Sequence, residues 1–172
     1  MDDSKTGIEI ERKYIITLPA EDSYEGLCEY SRSEIVQVYL KSPLGITHRV
    51  RKRTAGGVSR YYETTKVRID AISAEERERE ISEKEFSALL ELSDTSRRPI
   101  VKTRHAFIFG SQLFEIDVYP DWKKTCILET ELESRDSSVD FPPFIRIIRE
   151  VSGERAYSNA AMAKSFPKED EI

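Results

Sequence analysis

The sequence predicts a mainly β protein whose antiparallel strands form a barrel or a strongly curved sheet. Three observations predict it. Charged or polar residues alternate with apolar ones at period two through most of the chain. Glycine-containing turns separate neighbouring alternating runs, and only one internal segment carries helical spacing. A chain of 172 residues is one ordinary domain by length, so residues 1–172 are read as a single unit. A domain of that size buries roughly 70% of its unfolded surface, enough to dispense with disulfide staples.

Taken in order, residues 8–16 alternate until Pro19 interrupts the pattern. Residues 36–41 read as a strand that ends before Ser42-Pro43. Residues 47–53 and 59–68 flank Ala55-Gly56-Gly57, a hairpin signal. Residues 74–81 continue the alternation. From 82 to 92 the period changes: Phe86, Leu89, Leu90 and Ser93 fall at helical spacing, and Ser82 with Glu85 resembles a capping box. Residues 100–109, 112–119 and 125–134 return to strand, with Gly110-Ser111 turning between the first two. The tail holds Pro142-Pro143, Gly153 and a short helical stretch near 158–164. The expected inventory is eight strands and few helices.

Charged residues make up 34% of the chain, above the usual figure of about 25%, so the excess asks for a use. The net charge of −5 argues against a dedicated nucleic-acid binder, whose footprint would be basic. Cys28 and Cys126 lie far apart without metal-ligand spacing and read as free thiols of a reducing compartment. Neither a secretory signal nor an apolar run of membrane-spanning length is present, so the expectation is a soluble, cytoplasmic protein with no membrane partner.

Side chains two apart on a strand share a face. The first run therefore groups Glu9, Glu11 and Lys13 against Ile10 and Tyr14. The third groups Arg49, Arg51 and Arg53 against Val50, and the fourth groups Thr64 with Lys66. Glu76, Glu78 and Glu80 share the fifth; Lys102 and Arg104 share the sixth. Glu115 and Asp117 oppose Phe114, Ile116 and Val118, while Glu129, Glu131 and Glu133 oppose Leu128 and Leu132. A half-buried sheet turns a polar face to water, but that rule does not sort strands by sign, and antiparallel pairing favours opposite charges. On a concave, closed face like charges would crowd, and each unpaired charge would be costly. Divalent cations on the carboxylates and a polyanion on the cations would relieve both. Carboxylate oxygens are the hard ligands of Mg²⁺ and Mn²⁺, and Arg and Lys hold phosphate oxygens.

Glu9-Ile10-Glu11-Arg12-Lys13 resembles the ExExK signature of the CYTH superfamily, the triphosphate tunnel metalloenzymes. Further blocks follow in family order: Gln37-Val38-Tyr39-Leu40, Arg49-Val50-Arg51, Thr64-Thr65-Lys66, Glu76-Arg77-Glu78, Lys102-Thr103-Arg104, Glu115-Ile116-Asp117, Glu129-Thr130-Glu131 and Glu150-Val151-Ser152-Gly153. They cover essentially the whole chain. The resemblance implies an eight-stranded antiparallel closed barrel with a few flanking helices, its charges lining a tunnel and its apolar residues facing outward. By the same resemblance Arg49, Arg51, Lys66, Lys102 and Arg104 are triphosphate ligands. Glu9 and Glu11 are ligands of one metal, and Asp117, Glu129 and Glu131 of another. Lys13 stands near the transferred phosphoryl group, Tyr39 supports it, and Glu76 and Glu78 orient water.

The implied reaction is hydrolysis of inorganic triphosphate with Mg²⁺ or Mn²⁺, by in-line attack of a metal-associated water on a terminal phosphoryl group. Two alternatives stand beside it. One is an adenylate cyclase or a thiamine-triphosphatase-type enzyme, which needs a ring pocket for which Trp122, Tyr61 and Tyr62 are the candidates. The other is a non-catalytic polyphosphate- or nucleotide-binding module, and a homodimer is possible under any of these. The sequence departs from the family at Ala74, where an arginine is common, at His105, where an aromatic is common, and at Ala156, where a basic residue is common. Arg155, one place earlier, is either a further substrate ligand reaching in from a short helix or a solvated surface residue. Tyr157, Ser158 and Asn159 are expected to cap or pack that helix, and His48 and His105 to be structural.

Overall fold

The alternating runs become nine strands in a computed structural model that describes residues 5–172. They are β1 (Lys5–Thr17), β2 (Cys28–Tyr39), β3 (Ile46–Ala55), β4 (Val58–Arg68), β5 (Ser73–Ile81), β6 (Ile100–Phe109), β7 (Gln112–Val118), β8 (Thr125–Glu131) and β9 (Ile147–Glu150). Spatial order is β5-β4-β3-β2-β6-β7-β8-β1, and β1 pairs back onto β5, so eight antiparallel strands close into a barrel. Closure leaves those eight strands without a free edge. β9 pairs outside this ring with Tyr14–Ile16 of β1, beyond Ile10, where the pairing of β1 with β5 stops.

Turn chemistry fixes the register of the longest hairpin. Ala55 pairs with Val58, leaving Gly56-Gly57 as a two-residue loop with φ of 55° and 80°. Two consecutive positive φ values match the right-handed twist of the strands and favour glycine at both positions. β2 starts at Cys28 rather than at the expected 36. Its inward residues Ser33 and Gln37 are polar yet buried, so a hydropathy pattern does not reveal them, and a bulge near Glu29 (φ 51°) disrupts the start. β9 carries no alternation across its adjacent Ile147 and Ile148 and was not foreseen.

Apolar material lies both outside the barrel and at one end of it. Helix α1 (Glu83–Leu90) is capped as expected: Ser82 Oγ accepts from the Glu85 amide and Glu85 accepts from the Ser82 amide. Its Phe86, Leu89 and Leu90 cover the outward residues Val50, Tyr61 and Ile81. On the opposite flank, Val139, Phe141, Phe144 and Ile145 cover the outward Tyr14, Phe107, Phe114, Ile116 and Leu128. Burying those rows outside frees the inner face of the barrel for polar residues.

The inner face changes character along the barrel axis. Ile15, Tyr39, Ile100 and Ile127 share strand parity with Lys13, Gln37, Lys102 and Glu129, but lie one step nearer the C-terminal segment. There they pack with Tyr119 and Trp122 beneath Val151, Tyr157, Met162 and Ala163. The last two residues belong to, or immediately follow, α2 (Asn159–Met162), whose N-cap Ser158 accepts from the Ala161 amide. Tyr119 donates to Asn159 Oδ1 at 2.8 Å, and Trp122 Nε1 donates to the Pro167 carbonyl at 2.9 Å. The tail therefore forms an apolar floor under part of the charged interior. Among the described residues, no helix is long and apolar enough to cross a membrane.

One carboxylate fastens the end of that tail. Glu169 accepts from the backbone amides of Lys123, Lys124 and Thr125 at 2.5–3.0 Å. The amide of Lys123 leads the causes that lower its pKa to about 2. A lowered carboxylate pKa stabilises the fold above the unfolded value of about 4.3, and the gain is lost as pH falls toward the folded value. Glu169→Gln should consequently lower Tm at neutral pH and close the gap to wild type below about pH 2 to 4. Thermal unfolding of both proteins across that range checks it, and a constant gap would refute the role.

Candidate functional site

The charged zone above the apolar floor draws its charges from inward positions of seven strands, and β2 adds Gln37 and Tyr39. On one side, fully buried Asp117 (0% exposed) accepts two bonds from Arg104, Nε to Oδ1 and Nη2 to Oδ2, both 2.7 Å, and a third from Lys102. Arg104 also reaches Glu129 at 2.9 Å and pairs with Glu115. Lys13 Nζ lies 2.7 Å from Glu129 and 3.7 Å from Glu11. On the other side, Lys66 Nζ lies 2.8 Å from Glu9 and 3.2 Å from Glu76, and Arg49 lies 3.6 Å from Glu76. Arg51 holds Glu78 at 2.9 Å, and Thr64 donates to the same carboxylate at 2.8 Å. Tyr39 accepts from Gln37 Nε2 at 2.6 Å and lies under the Arg97 guanidinium at 5.2 Å.

Sorting of charge by strand therefore does not produce the crowding expected from the sequence alone. Closure sets acidic β5 beside Lys66 of β4 and within reach of β3, and acidic β7 beside basic β6. Each acidic strand gains a cationic neighbour, so the interior is largely self-neutralised. Hydrogen bonding is less complete than the charge balance: Arg49 Nε, Arg51 Nε and Glu76 Oε2 are buried in this interior with no hydrogen-bond partner among the described residues. A buried donor left unpaired costs about 1–3 kcal/mol.

Protonation follows the pairs. Burial opposes the Glu129 charge, but Lys13 and Arg104 hold its carboxyl well below the usual range. Burial likewise opposes Asp117, and Arg104 with Lys102 override it. Burial pulls Lys102 down to about 8, and the like charge of Arg104 adds to the effect. Burial raises Glu9, helped by Glu76 and Glu11, against the pull of Lys66. The zone is not sealed: Glu9, Glu11, Lys66, Glu78 and Glu115 keep 25–31% of their side chains exposed.

The barrel thus gathers Glu9, Glu11, Lys13, Tyr39, Arg49, Arg51, Lys66, Glu76, Glu78, Lys102, Arg104, Asp117 and Glu129 around one interior. Glu131 pairs in register with Glu11 but stands exposed at the end of β8. Arg155 is exposed in a 3-10 helix (Arg155–Tyr157) beside the apolar floor and makes no side-chain contact with the tunnel set among the described residues. Both histidines lie on the outer face: His48 contacts Glu63 at 2.8 Å, and His105 stacks on Tyr24 with centroids 4.2 Å apart. Of the ring-pocket candidates, Trp122 is in the apolar floor and Tyr61 packs outside on Phe86; Tyr62 alone shares the face of Arg51, whose guanidinium lies 5.4 Å from its ring. Ser33 and Arg97 were missed. Parity with Tyr39 could have found Ser33, whereas Arg97 precedes β6 in a loop and carries no strand signal.

Whether these residues suit a divalent metal can be judged on their donors. Glu9, Glu11, Asp117, Glu129 and Glu131 supply the hard carboxylate oxygens that Mg²⁺ and Mn²⁺ take. Among the described residues, however, no three acidic, His or Cys side chains converge as a ready cation site. Four of the five carboxylates are instead held by Lys or Arg. The donor chemistry fits, and the ion pairs would have to exchange.

Comparison with solved structures places this arrangement among known ones. The inorganic triphosphatase NE1496 is 29% identical over 92% of this chain and 96% of its own, with a TM-score of 0.56. PH1819 of Pyrococcus horikoshii OT3 is 20% identical over 74% of this chain and 80% of its own, TM-score 0.56. A Vibrio parahaemolyticus protein described as a candidate adenylate cyclase is 12% identical over 74% and 79%, TM-score 0.51. The last two are similar in fold alone. A scan against protein-family models found no match, and a search of curated proteins found none either. An eight-strand order closed through β1 and β5, an inward face of paired charges in family order, and these neighbours make the chain a CYTH-type, triphosphate tunnel fold.

Proposed function

We propose that the chain is a divalent-metal-dependent triphosphatase whose substrate is inorganic triphosphate. The observation that carries this reading is the set of buried, unpartnered atoms in the interior, the donors Arg49 Nε and Arg51 Nε and the acceptor Glu76 Oε2. A polyanion would satisfy both donors, and an attacking water would satisfy the acceptor. The likeness to NE1496, an inorganic triphosphatase, supports the same class of substrate.

In this reading Arg49, Arg51, Lys66, Lys102 and Arg104 exchange carboxylate partners for phosphate oxygens, which are charge-assisted contacts of the same kind. Glu9, Glu11, Asp117, Glu129 and Glu131 would hold Mg²⁺ or Mn²⁺, which supplies charge neutralisation at the phosphate oxygens. Lys13 donates to the transferred phosphoryl group, and Tyr39 keeps the neighbouring wall in place. Glu76 and Glu78, freed from their arginines, accept hydrogen bonds from the attacking water and align it with the terminal phosphorus. Hydrolysis breaks the terminal P–O–P bond, and phosphate leaves with diphosphate. Positioning and electrostatics suffice for such a transfer without a covalent enzyme intermediate. Trp122 and Tyr61 lie away from the tunnel, and Tyr62, the one candidate on its inner face, is already covered by the Arg51 guanidinium at 5.4 Å, which favours a substrate without a ring.

Purified protein should release phosphate from triphosphate with Mg²⁺ or Mn²⁺ and stop on addition of EDTA. Arg51→Ala should weaken triphosphate binding about tenfold or more, the loss of one charge-assisted contact of roughly 1.5–3 kcal/mol. Glu11→Gln should lower turnover more than binding. Tight triphosphate binding without turnover under every divalent metal would leave a binding module instead. Faster conversion of ATP to cyclic AMP than cleavage of triphosphate would make it a cyclase.

A further inference from the structure

The inward arginines of β3 form a row along the barrel. Arg49 lies beside Tyr39 at the apolar end, and Arg53 lies near the Gly56-Gly57 hairpin at the opposite end. Successive inward residues stand about 7 Å apart at a strand rise of roughly 3.4 Å, so the row is about 14 Å long. Its members differ in one respect. Arg49 and Arg51 each hold a carboxylate within 4 Å, as does Arg104 across β2. For Arg53 the contact is different: Nε donates to Ser33 Oγ at 3.1 Å, and no carboxylate lies in ion-pair range among the described residues.

Ser33 is 1% exposed and pairs in register with Arg104. Its hydroxyl therefore draws the half-buried Arg53 side chain along the inner wall toward Arg104 and away from bulk water. A guanidinium held inward by a neutral partner, with its charge unmatched, is a poor structural element and a good anion ligand. Arg49, Arg51 and Arg104, together with the deeper Lys13, Lys66 and Lys102, already account for the triphosphate proposed above.

We propose that Arg53 is a specificity-determining residue that takes the phosphate lying beyond the third, so that the tunnel accepts linear inorganic polyphosphates longer than triphosphate. The proposal rests on the triphosphate reading, because the inner three phosphates anchor the chain that reaches Arg53. Ser33 acts as its positioning residue. Removing Arg53 costs a longer chain one charged contact and costs triphosphate nothing direct.

The test is the affinity of wild type, Arg53→Ala and Arg53→Lys for triphosphate and for linear tetraphosphate, by calorimetry with Mg²⁺ and imido-bridged forms of both anions, which resist cleavage. The expected result is a loss of about tenfold for tetraphosphate in Arg53→Ala, less than about threefold for triphosphate, and partial recovery in Arg53→Lys. Equal losses for both anions, or no loss for either, would overturn the assignment while leaving the triphosphate reading intact. Wild type that binds neither anion would overturn both. Should Arg53→Ala fail to fold, Ser33→Ala provides the same comparison, with a tetraphosphate-selective loss expected and an unchanged ratio refuting the proposal.

Discussion

Asp117→Ala is expected to lower the free energy of unfolding by about 3–5 kcal/mol, the largest stability effect of any single change in the tunnel. Removing one partner of a buried ion pair strands the other, and that is the range such truncations cost. Here one carboxylate, itself 0% exposed, serves two cations, with Lys102 1% and Arg104 9% exposed at their side chains. The two strand differently. Arg104 cannot shed its proton and keeps Glu115 and Glu129 as partners. Lys102 has no such reserve, and its pKa already lies down at about 8 through burial and the neighbouring Arg104. Without Asp117 it falls further and the amine becomes neutral in the folded state. A lysine whose folded pKa lies below its unfolded value of about 10.4 gains stability as pH rises, because the unfolded chain then binds the extra proton. The deficit of the variant should accordingly shrink as pH rises toward about 8 and level off above it, where Lys102 is neutral in both folded proteins. Urea unfolding at pH values on either side of that point measures it. A deficit under about 1 kcal/mol would mean that water reaches the pair and that Asp117 and Lys102 are not buried in solution.

The same residues show how much could be read in advance. Inward parity of Asp117, Arg104 and Lys102 was legible, because period two is a property of the extended backbone and survives without knowing the partner strands. The closed barrel followed from the family order of the charged blocks, and the Gly56-Gly57 hairpin from turn chemistry. Pairing was not legible. Which acid meets which base depends on strand order, and β2 intervenes between β3 and β6 although the sequence places β4 and β5 after β3. Crowding of like charges was the natural expectation for sign-sorted strands in isolation, and closure removes it by setting unlike strands side by side. The apolar floor was hidden for a similar reason. Ile15, Ile100 and Ile127 continue the inward parity of charged residues, and only the docking of Met162 and Val151 explains the change from charge to hydrocarbon. Arg155 illustrates the limit: one residue in a short 3-10 helix has no periodicity to orient it, and the structure leaves it exposed.

Triphosphate is expected to raise the affinity for Mg²⁺ by at least about tenfold, and Mg²⁺ to raise the affinity for triphosphate by the same factor, since binding couplings are reciprocal and typically 5–150-fold. The reason lies in the ion pairs. A metal ion binding alone must take Asp117 and Glu129 from Lys13, Lys102 and Arg104, leaving buried cations unmatched. An anion binding alone must take those cations and leave carboxylates unmatched. Each event by itself carries a desolvation penalty of the kind that makes half-broken buried pairs costly. Together they exchange partners without leaving a charge behind, so the penalty of the first ligand is relieved by the second. Calorimetric titration of Mg²⁺ into protein with and without an imido-bridged triphosphate, which resists hydrolysis, measures the coupling once complexation in free solution is subtracted. Glu129→Gln should reduce it, because the amide no longer holds Lys13 by charge and presents a weaker metal donor. Equal Mg²⁺ affinity in the presence and absence of the anion would show that the carboxylates are free in solution, and the self-neutralised tunnel would then not be the resting state of the protein.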